Sequence, residues 1–253
     1  MPYPAHVSDA AYCYDGSYAG FLCCIFESYT RREIPSAVLG PAEGQITLFG
    51  TEAIATDPTH ARRVANGLTR LGPMVRERVM TGFLSTEEEK DLILLRFARR
   101  CFDEGPRAVQ MLGDPDVHAA FVLERNVNNE VCRFIEFIRF EEKDGMLGSV
   151  IHPKNNVLPL LCGHFCSRLP DEDFLIFDAA HGTALLRQSG HVQYLAMEHY
   201  EPARDADELN WQALWKRFFH ALTIEERHNA KAQMNHAPKR FWGGMVEMRE
   251  PYI

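Results

Sequence analysis

The stretch Phe174-Leu175-Ile176-Phe177-Asp178 decides the fold class, because a short apolar run that ends in a carboxylate is typical of a buried strand. On its C-terminal side, Ala184–Arg187 and Val192–Met197 also have strand character. Ser189-Gly190 lies between them and favours a tight turn, so these two segments are predicted to form a β-hairpin. The second half of the chain is therefore expected to contain a sheet.

A helix and two further strands are predicted on the N-terminal side of this run. Lys154–Arg168 has its apolar residues at helical spacing. Cys132–Phe140 is rich in aromatic and β-branched residues and predicts a strand. Lys143-Asp144-Gly145 then predicts a turn into another strand over Met146–His152. The resulting order is ββαβββ, an antiparallel sheet backed by a helix.

The first half of the chain is predicted to be mostly helical, from apolar periodicity and from capping signals. The predicted helices cover Gly16–Arg32, Asp57–Leu71, Ser85–Glu104 and a segment from Pro115 towards Asn128. A short β-like piece, Gln45–Phe49, lies between the first two helices.

The C-terminal part is predicted to be helical again from Asp207, with an aromatic tail from Pro238. The fold class is accordingly α+β, with a helical N-terminal part, the sheet segment and a helical C-terminus. We interpret the chain as a single composite domain over 1–253. Its helical part covers about 12–130, its sheet part about 131–200, and its C-terminal helices and tail about 206–253.

The composition is that of an ordinary soluble globular protein, with 46% hydrophobic and 25% charged residues. No apolar run reaches the roughly 18 residues that span a bilayer, and the first residues lack the features of a signal peptide. The seven cysteines are an odd number without close pairing, which fits a reducing compartment. We therefore expect a cytoplasmic protein without membrane contact.

The net charge of −8 weighs against a protein that coats nucleic acid unaided, because such binding requires cations gathered on one face. The candidate nucleic-acid-binding residues combine positive charge with a stacking ring, and they are Arg62, Arg63, Lys239, Arg240 and Trp242. Two alternatives stay open. The cations could belong to solvated helix faces, and the tail could be an aromatic clamp that docks onto the core.

Four ionisable residues are candidate catalytic residues. Asp15 precedes Gly16 in a tight turn and could supply a functional carboxylate, although the pattern favours a cap for the next helix. His164 and Arg168 lie one helical turn apart, where Arg could hold an anion while His transfers a proton, or they could form a surface pair. Asp178 ends the buried strand, a place where carboxylates enter sites but also form turns.

No metal and no cofactor is predicted, despite the cluster Cys162-Gly163-His164-Phe165-Cys166. Both thiols fall on the apolar stripe of the predicted helix, where a Cys usually behaves as a small buried hydrophobic residue. A radical-SAM iron–sulfur cluster needs a third thiolate in a Cys-x3-Cys-x2-Cys run, and Leu169 occupies that position. The chain is therefore not itself a radical-SAM enzyme.

Three blocks of sequence carry a resemblance to a known family, and they are Tyr14–Phe21, Asn155–Phe165 and Pro238–Trp242. Together they are similar to a family of bacterial proteins assigned to DNA metabolism, over nearly the whole chain. Members of that family accompany a radical-SAM protein and are sometimes fused to a uracil-DNA glycosylase-like domain. The resemblance implies a role in DNA repair or modification. It also implies DNA, a radical-SAM protein and a uracil-DNA glycosylase-like protein as partners.

Three functions are consistent with the sequence. The first is an accessory protein that contacts nucleic acid and docks a radical-SAM partner. The second is an enzyme that acts on a nucleic acid or nucleotide-like substrate through Asp15, His164, Arg168 and Asp178. The third is an assembly module without DNA contact.

Overall fold

The computed structural model describes residues 6–41, 50–201, 206–227 and 229–248. The predicted β-like piece Gln45–Phe49 lies outside the described residues. Contacts within the chain divide it into two compact units, Met1–Asn128 and Asn129–Ile253.

The first unit is built mainly from helices, as the capping signals predict. In chain order these are α1 (Tyr18–Thr30), α2 (Pro58–Leu71), α3 (Pro73–Phe83), α4 (Lys90–Glu104) and the start of α5 (Pro115–Phe137). A 3-10 helix, Pro106–Gln110, connects α4 to α5.

Short parallel strands accompany these helices. They are β1 (His6–Val7), β2 (Ala11–Cys13), β3 (Glu33–Ile34), β4 (Ala37–Leu39) and β5 (Thr51–Ala53). Strand β2 lies between β4 and β5 and is parallel to both, while β1 pairs in parallel with β3.

Side-chain caps explain where the first two helices begin. Ser17 caps α1, because its Oγ accepts a hydrogen bond from the N–H of Gly20 at 2.9 Å. Asp57 caps α2, since its Oδ1 accepts from the N–H of Thr59 at 2.6 Å and of His60 at 3.1 Å. The predicted helices at these two places are confirmed.

The start of α4 differs from the prediction. The N–H of Ser85 donates to the carbonyl oxygen of Gly82, so Ser85, the predicted start of this helix, belongs to the turn that ends α3. Helix α4 begins instead at Lys90, after Glu89, which adopts a left-handed conformation with φ of 58° and makes no side-chain cap. The helix itself ends at Glu104, as predicted.

The core of the first unit lies between α1 and α4. Phe21 of α1 and Leu94, Leu95 and Phe97 of α4 are fully buried. Each fully buried side chain of this size contributes about 1.5–3 kcal/mol to folding.

The second unit contains the remainder of α5 and the main sheet. Its strands are β6 (Glu141–Lys143), β7 (Met146–Ile151), β8 (Asp173–Asp178), β9 (Thr183–Gln188) and β10 (His191–Ala196). In the described part of the chain, its other helices are α6 (Leu158–Arg168), α7 (Ala206–Leu222), α8 (Ala230–His236) and three 3-10 turns, Glu225–Arg227, Lys239–Gly244 and Val246–Met248.

The sheet confirms the α+β class and the predicted order ββαβββ, with strands arranged β10-β9-β8-β7-β6. The prediction of a wholly antiparallel sheet is wrong at one pair, because β7 and β8 are parallel. Helix α6 lies between these strands in sequence, and a helical crossover is what brings two successive strands into parallel register.

The strand predicted over Cys132–Phe140 is also wrong, because α5 continues to Phe137 and the first strand of this sheet is β6. Buried residues recur along α5 at helical spacing, with Val127, Val131 and Phe134 on the inner face, and the buried Ile138 follows directly after the helix. This 3.6-residue period prevails over the strand propensity of the aromatic and β-branched residues.

Helix α6 backs the sheet as expected. Leu161 and Phe165 are buried, and the Phe165 ring lies 6.5 Å from the ring of Phe174 on β8. Among the described residues, no helix combines the length and apolar composition that crossing a membrane requires.

Candidate functional sites

A buried carboxylate, Glu130 on α5, organises one end of the second unit. Its Oε1 accepts a hydrogen bond from the N–H of Lys154 at 2.9 Å. Its Oε2 accepts from the N–H of Asn155 at 2.8 Å and from Nδ2 of the same residue at 2.7 Å. Arg240 Nη1 completes the set at 3.0 Å from Oε1. A buried charge is stable only when it is paired in this way.

Sequence reasoning missed Glu130, although one signal could have identified it. Glu130 lies three residues after Val127 and four before Phe134, so it falls on the buried face of α5. A carboxylate at such a position requires a partner. Its partners belong to two of the blocks that carry the resemblance, the one containing Asn155 and the one containing Arg240.

The C-terminal aromatic segment docks onto α5 through Phe241. This ring is buried and packs edge-on against Phe134 at 5.0 Å between centroids, with Phe137 at 5.8 Å. Trp242 remains half-buried, and its Nε1 donates to the carbonyl oxygen of Ala237 at 2.7 Å. Phe241 therefore holds this segment against α5.

Lys239 and Arg240 have different environments beside this anchor. Lys239 is exposed, and its Nζ lies 5.8 Å from the Trp242 ring centroid. Arg240 lies 4.6 Å above the Phe241 ring and pairs with Glu130. Arg240 is thus partly neutralised, whereas Lys239 keeps its charge towards solvent.

A cleft of about 390 Å³ opens between the end of α5, strand β7 and the 3-10 turn Lys239–Gly244. It is lined by Phe134, Phe137, Ile138, Arg139, Glu141, Gly148, Ser149, Val150, Ile151, His152, Arg240, Phe241, Gly243 and Gly244. This volume is in the range of sites for small molecules and cofactors.

The polar groups of the cleft are two guanidinium groups, a carboxylate, a hydroxyl and an imidazole. Arg139 Nη1 donates to the carbonyl oxygens of Glu136 at 3.3 Å and Ile138 at 3.1 Å. Its Nη2 lies 4.0 Å from Glu247 Oε1. The side chain is thereby held at the rim while remaining about one-third exposed.

Asp178 makes a close pair with His181 at the end of β8. Oδ1 accepts from the N–H groups of Ala180 at 3.0 Å and His181 at 3.1 Å, and Oδ2 lies 2.7 Å from His181 Nδ1. The Asp178 side chain is 1% exposed and that of His181 is 21% exposed. A carboxylate that orients an imidazole in this way is the usual support for a general base.

Among the described residues, the Asp178 carboxylate forms no hydrogen bond with His164 or Arg168, the other predicted catalytic residues of its unit. Its contacts, within the described part of the chain, are with the turn that contains His181 and not with His164 or Arg168. His164 is half-buried on α6, and its Nε2 has no hydrogen-bond partner among the described residues. Arg168 is exposed at the last turn of the same helix.

Asp15 lies in the first unit and organises the start of α1. It accepts hydrogen bonds from Ser17 Oγ at 2.6 Å, from the Ser17 N–H at 2.9 Å, and from Thr56 Oγ1 at 2.8 Å. These donors, with the Ser17 side chain the strongest, lower the pKa of Asp15 below its ordinary value. Ser17 rather than Asp15 caps the helix directly.

A groove of about 600 Å³ lies on the first unit between α1, α2 and the end of α4. It is lined by Ile25, Phe26, Tyr29, Thr30, Arg63, Val64, Gly67, Arg70, Phe102 and Asp103. The His60 ring stacks on Phe26 with centroids 3.8 Å apart, and the Arg63 guanidinium lies 5.8 Å from the same ring. We call this surface the arginine–aromatic groove.

Helix α2 supplies the positive charge of this groove. It contains Arg62, Arg63 and Arg70 and no Asp or Glu, and all three side chains are exposed. Arg78 of α3, by contrast, is buried and pairs with Glu124 at 2.7 Å. The predicted basic residues Arg62 and Arg63 are thus both at exposed positions of α2. Arg63 lines the groove, whereas Arg62 does not.

No group of three or more His, Cys, Asp or Glu side chains in the described part of the chain is arranged to hold a metal ion. Cys162 and Cys166 lie one helical turn apart on α6, with their sulfurs 3.9 Å from each other. Both thiols are half-buried.

Comparison with known proteins identifies one family. Residues 88–247, more than half of the chain, match a domain of unknown function, DUF4130. No curated protein and no solved structure matches. The matched segment contains α5, the whole main sheet, Glu130 and the cleft, whereas α1 and α2 precede it. The chain therefore belongs to the DUF4130 family.

Proposed function

We propose that this protein is an accessory, nucleic-acid-associated component of a DNA repair or modification system that acts with a radical-SAM partner. The observation that carries the proposal is the arginine–aromatic groove, in which Arg63 and Arg70 of α2 lie beside the rings of Phe26, Tyr29 and Phe102. Surfaces that bind single strands combine cations for the phosphates with rings for the bases.

The charge of α2 supports this role. Fourteen residues, Pro58–Leu71, carry three arginines and no carboxylate in a chain whose net charge is −8. A local concentration of cations is what an acidic protein needs in order to approach a phosphate backbone. Arg76 on α3 is also exposed and extends the same charge along the sequence.

The aromatic part of the groove is held in place. Phe102 packs against α2 at Gly67, where an added Cβ would lie only 2.7 Å from its ring. Tyr29 donates a hydrogen bond to Asp103 Oδ1 at 3.2 Å, and Asp103 is the carboxylate that lines the groove. These two rings are therefore held in place before binding, which reduces the entropy lost on binding.

Helix α7 supports a protein partner in addition to nucleic acid. Its apolar residues at helical spacing are exposed, and they are Trp211, Leu214, Trp215, Phe218 and Leu222. Trp211 is 67% exposed and Phe218 is 53% exposed. A contiguous apolar face of this kind is typical of a protein–protein contact. We assign it to the radical-SAM partner that the resemblance implies.

Fluorescence anisotropy with labelled single-stranded and double-stranded oligonucleotides tests the groove. The double variant R63Q/R70Q should weaken single-strand binding roughly tenfold and reduce the salt slope by about 1.4, since each contact contributes about 0.7. The control R107Q/R125Q removes two exposed arginines of the same unit that do not line the groove. Equal binding by both double variants would contradict the proposal.

The partner contact has a separate test. W211Q/F218Q should abolish co-elution with the radical-SAM protein in size-exclusion chromatography, because it removes the two most widely separated rings of the apolar face. The control M111Q/L112Q changes two exposed apolar residues of the first unit. Co-elution that survives W211Q/F218Q would assign the partner to another surface.

A catalytic role is the second candidate, and the contact between Asp178 and His181 favours it. In that case His181, rather than His164, would transfer a proton, and Asp178 would hold the imidazole in one tautomer. Conversion of an oligonucleotide or nucleotide by the wild type, lost in both D178N and H181Q, would establish this role. If both variants bound DNA as tightly as the wild type, the catalytic site would be distinct from the arginine–aromatic groove.

A further inference from the structure

We propose that the cleft of the second unit binds a mononucleotide, with its base among the phenylalanine rings and its phosphate at Arg240. This site consists of residues different from those of the arginine–aromatic groove. An experiment can therefore contradict one of the two proposals without contradicting the other.

The size and shape of the cleft fit this class of ligand. Its volume of about 390 Å³ accommodates one base, one sugar and one phosphate but not a folded polymer. The walls are Phe134, Phe137 and Phe241, and the last of these is fixed by its packing against α5. Aromatic walls held in place favour a planar, stackable group.

Arg240 provides the anion-binding group. Its side chain is 51% exposed, and its contact with Glu130 uses Nη1. A guanidinium has five N–H donors in a planar fork. Among the described residues, Arg240 has no second hydrogen-bond partner, so its other donors can bind phosphate oxygens while Glu130 keeps the group oriented.

The remaining polar groups suit the edges of a base. Glu141 and Ser149 line the same cleft and are buried, and His152 lines it at the end of β7. The carboxylate can accept from an amino group of a base, and the hydroxyl can donate or accept. Arg139, held at the rim by two carbonyl oxygens, supplies a second cation to the same cleft.

The glycines of the 3-10 turn allow a direct test. Gly244 lines the cleft, and an added Cβ would lie 3.8 Å from the carbonyl oxygen of Phe137, an ordinary contact. Gly244→Leu should therefore fill the cleft without disturbing the fold. Gly163→Leu is the matched control, because Gly163 is an exposed position of α6 whose added Cβ meets nothing within 4 Å.

Isothermal titration of the full chain with each deoxynucleoside 5′-monophosphate, with the matching nucleosides and with inorganic phosphate tests the site. We expect at least one monophosphate to bind. Its nucleoside should bind roughly tenfold more weakly, because it lacks the charge-assisted contact to Arg240. A short oligonucleotide with a 5′-phosphate, titrated in parallel, distinguishes a free nucleotide from the end of a strand as the source.

The variants decide the outcome. G244L should abolish monophosphate binding while G163L retains it. R240K keeps the charge beside Glu130 but loses the planar fork, so it should weaken monophosphate binding roughly tenfold and leave nucleoside binding unchanged. R133K is its control, because Arg133 is a half-buried arginine of α5 that pairs with Glu136 and does not line the cleft. Absence of binding by every monophosphate, or equal binding by G244L and G163L, would overturn the proposal.

Discussion

Arg240 Nη1 lies 3.0 Å from Glu130 Oε1, and in this ion pair the carboxylate is buried while the Arg240 side chain is half exposed. The Glu130 side chain is 2% exposed, and it also accepts three hydrogen bonds from Lys154 and Asn155. The pair thereby fastens the C-terminal turn and the segment before α6 to the same point on α5. It also places a guanidinium group at the proposed mononucleotide site.

Removal of the Glu130 carboxylate should destabilise the second unit. Glu130→Ala leaves the donors of Lys154 and Asn155 and the charge of Arg240 without their acceptor, and breaking a buried pair costs about 3–5 kcal/mol. Urea unfolding followed by circular dichroism measures the loss. Glu136→Ala, which removes an exposed carboxylate of α5 paired with Arg133, should cost less than about 1 kcal/mol. Equal losses in the two variants would contradict the central role of Glu130.

A methyl group at Gly67 should disturb the groove. The added Cβ would lie 2.7 Å from the Phe102 ring, so Gly67→Ala must displace that ring. We expect weaker single-strand binding, measured by anisotropy. The free energy of unfolding should change little, because overpacking offsets the gain of about 1 kcal/mol in helix propensity. Asn66→Ala, at an exposed position of the same helix, should leave binding unchanged. Wild-type binding by Gly67→Ala would show that Phe102 has no part in recognition.

Stability in acid should depend on Asp15. Its pKa is lowered in the folded state, so the carboxylate stabilises the fold above the ordinary Asp range. That contribution is lost as the pH falls through the ordinary pKa towards the lowered one. Thr56→Val removes one of its donors, so the Asp15 pKa, followed by NMR titration, should rise. An unchanged titration in Thr56→Val would exclude Thr56 as a cause of the lowered pKa.

The cysteines should differ in reactivity. Burial raises the pKa of the Cys101 thiol to about 12, and it raises that of Cys24 as well, whereas Cys132 is exposed. Because the thiolate is the reactive form, Cys132 should react with a disulfide reagent at neutral pH well before Cys24 and Cys101. Cys132→Ser should remove the fastest phase, and Cys101→Ser should not. Rapid labelling of Cys101 in the folded protein would contradict this prediction.

Local chemistry explains which elements were predictable. Ser189 and Gly190 adopt positive φ angles of 48° and 78°, as the tight turn between β9 and β10 requires. Asp144 and Gly145, with 51° and 76°, do the same between β6 and β7. Asp57 and its neighbouring proline start α2 at the predicted place. Each of these signals acts over four residues or fewer, so the sequence is sufficient to reveal it.

The errors arose where two local patterns overlap or where partners are distant. Residues 132–137 have strand propensity, but Val131 and Phe134 continue the buried helical face of α5. For His181, the sequence shows three residues of separation from Asp178, yet the contact depends on how the turn after β8 folds. The sequence likewise does not show which arginines are free to bind a ligand, because Arg63 is exposed and Arg78 is buried and paired only in the folded chain.

The α+β class, the hairpin of β9 and β10 and both ends of α2 can be read from the amino-acid sequence, because apolar period, caps and turn residues act between near neighbours. The parallel pairing of β7 with β8, the contacts of Glu130 with Asn155 and Arg240, and the position of Arg63 and Arg70 beside three aromatic rings emerge only in the folded chain. Burial and pairing of charge depend on residues far apart in the chain, whose proximity no local pattern encodes.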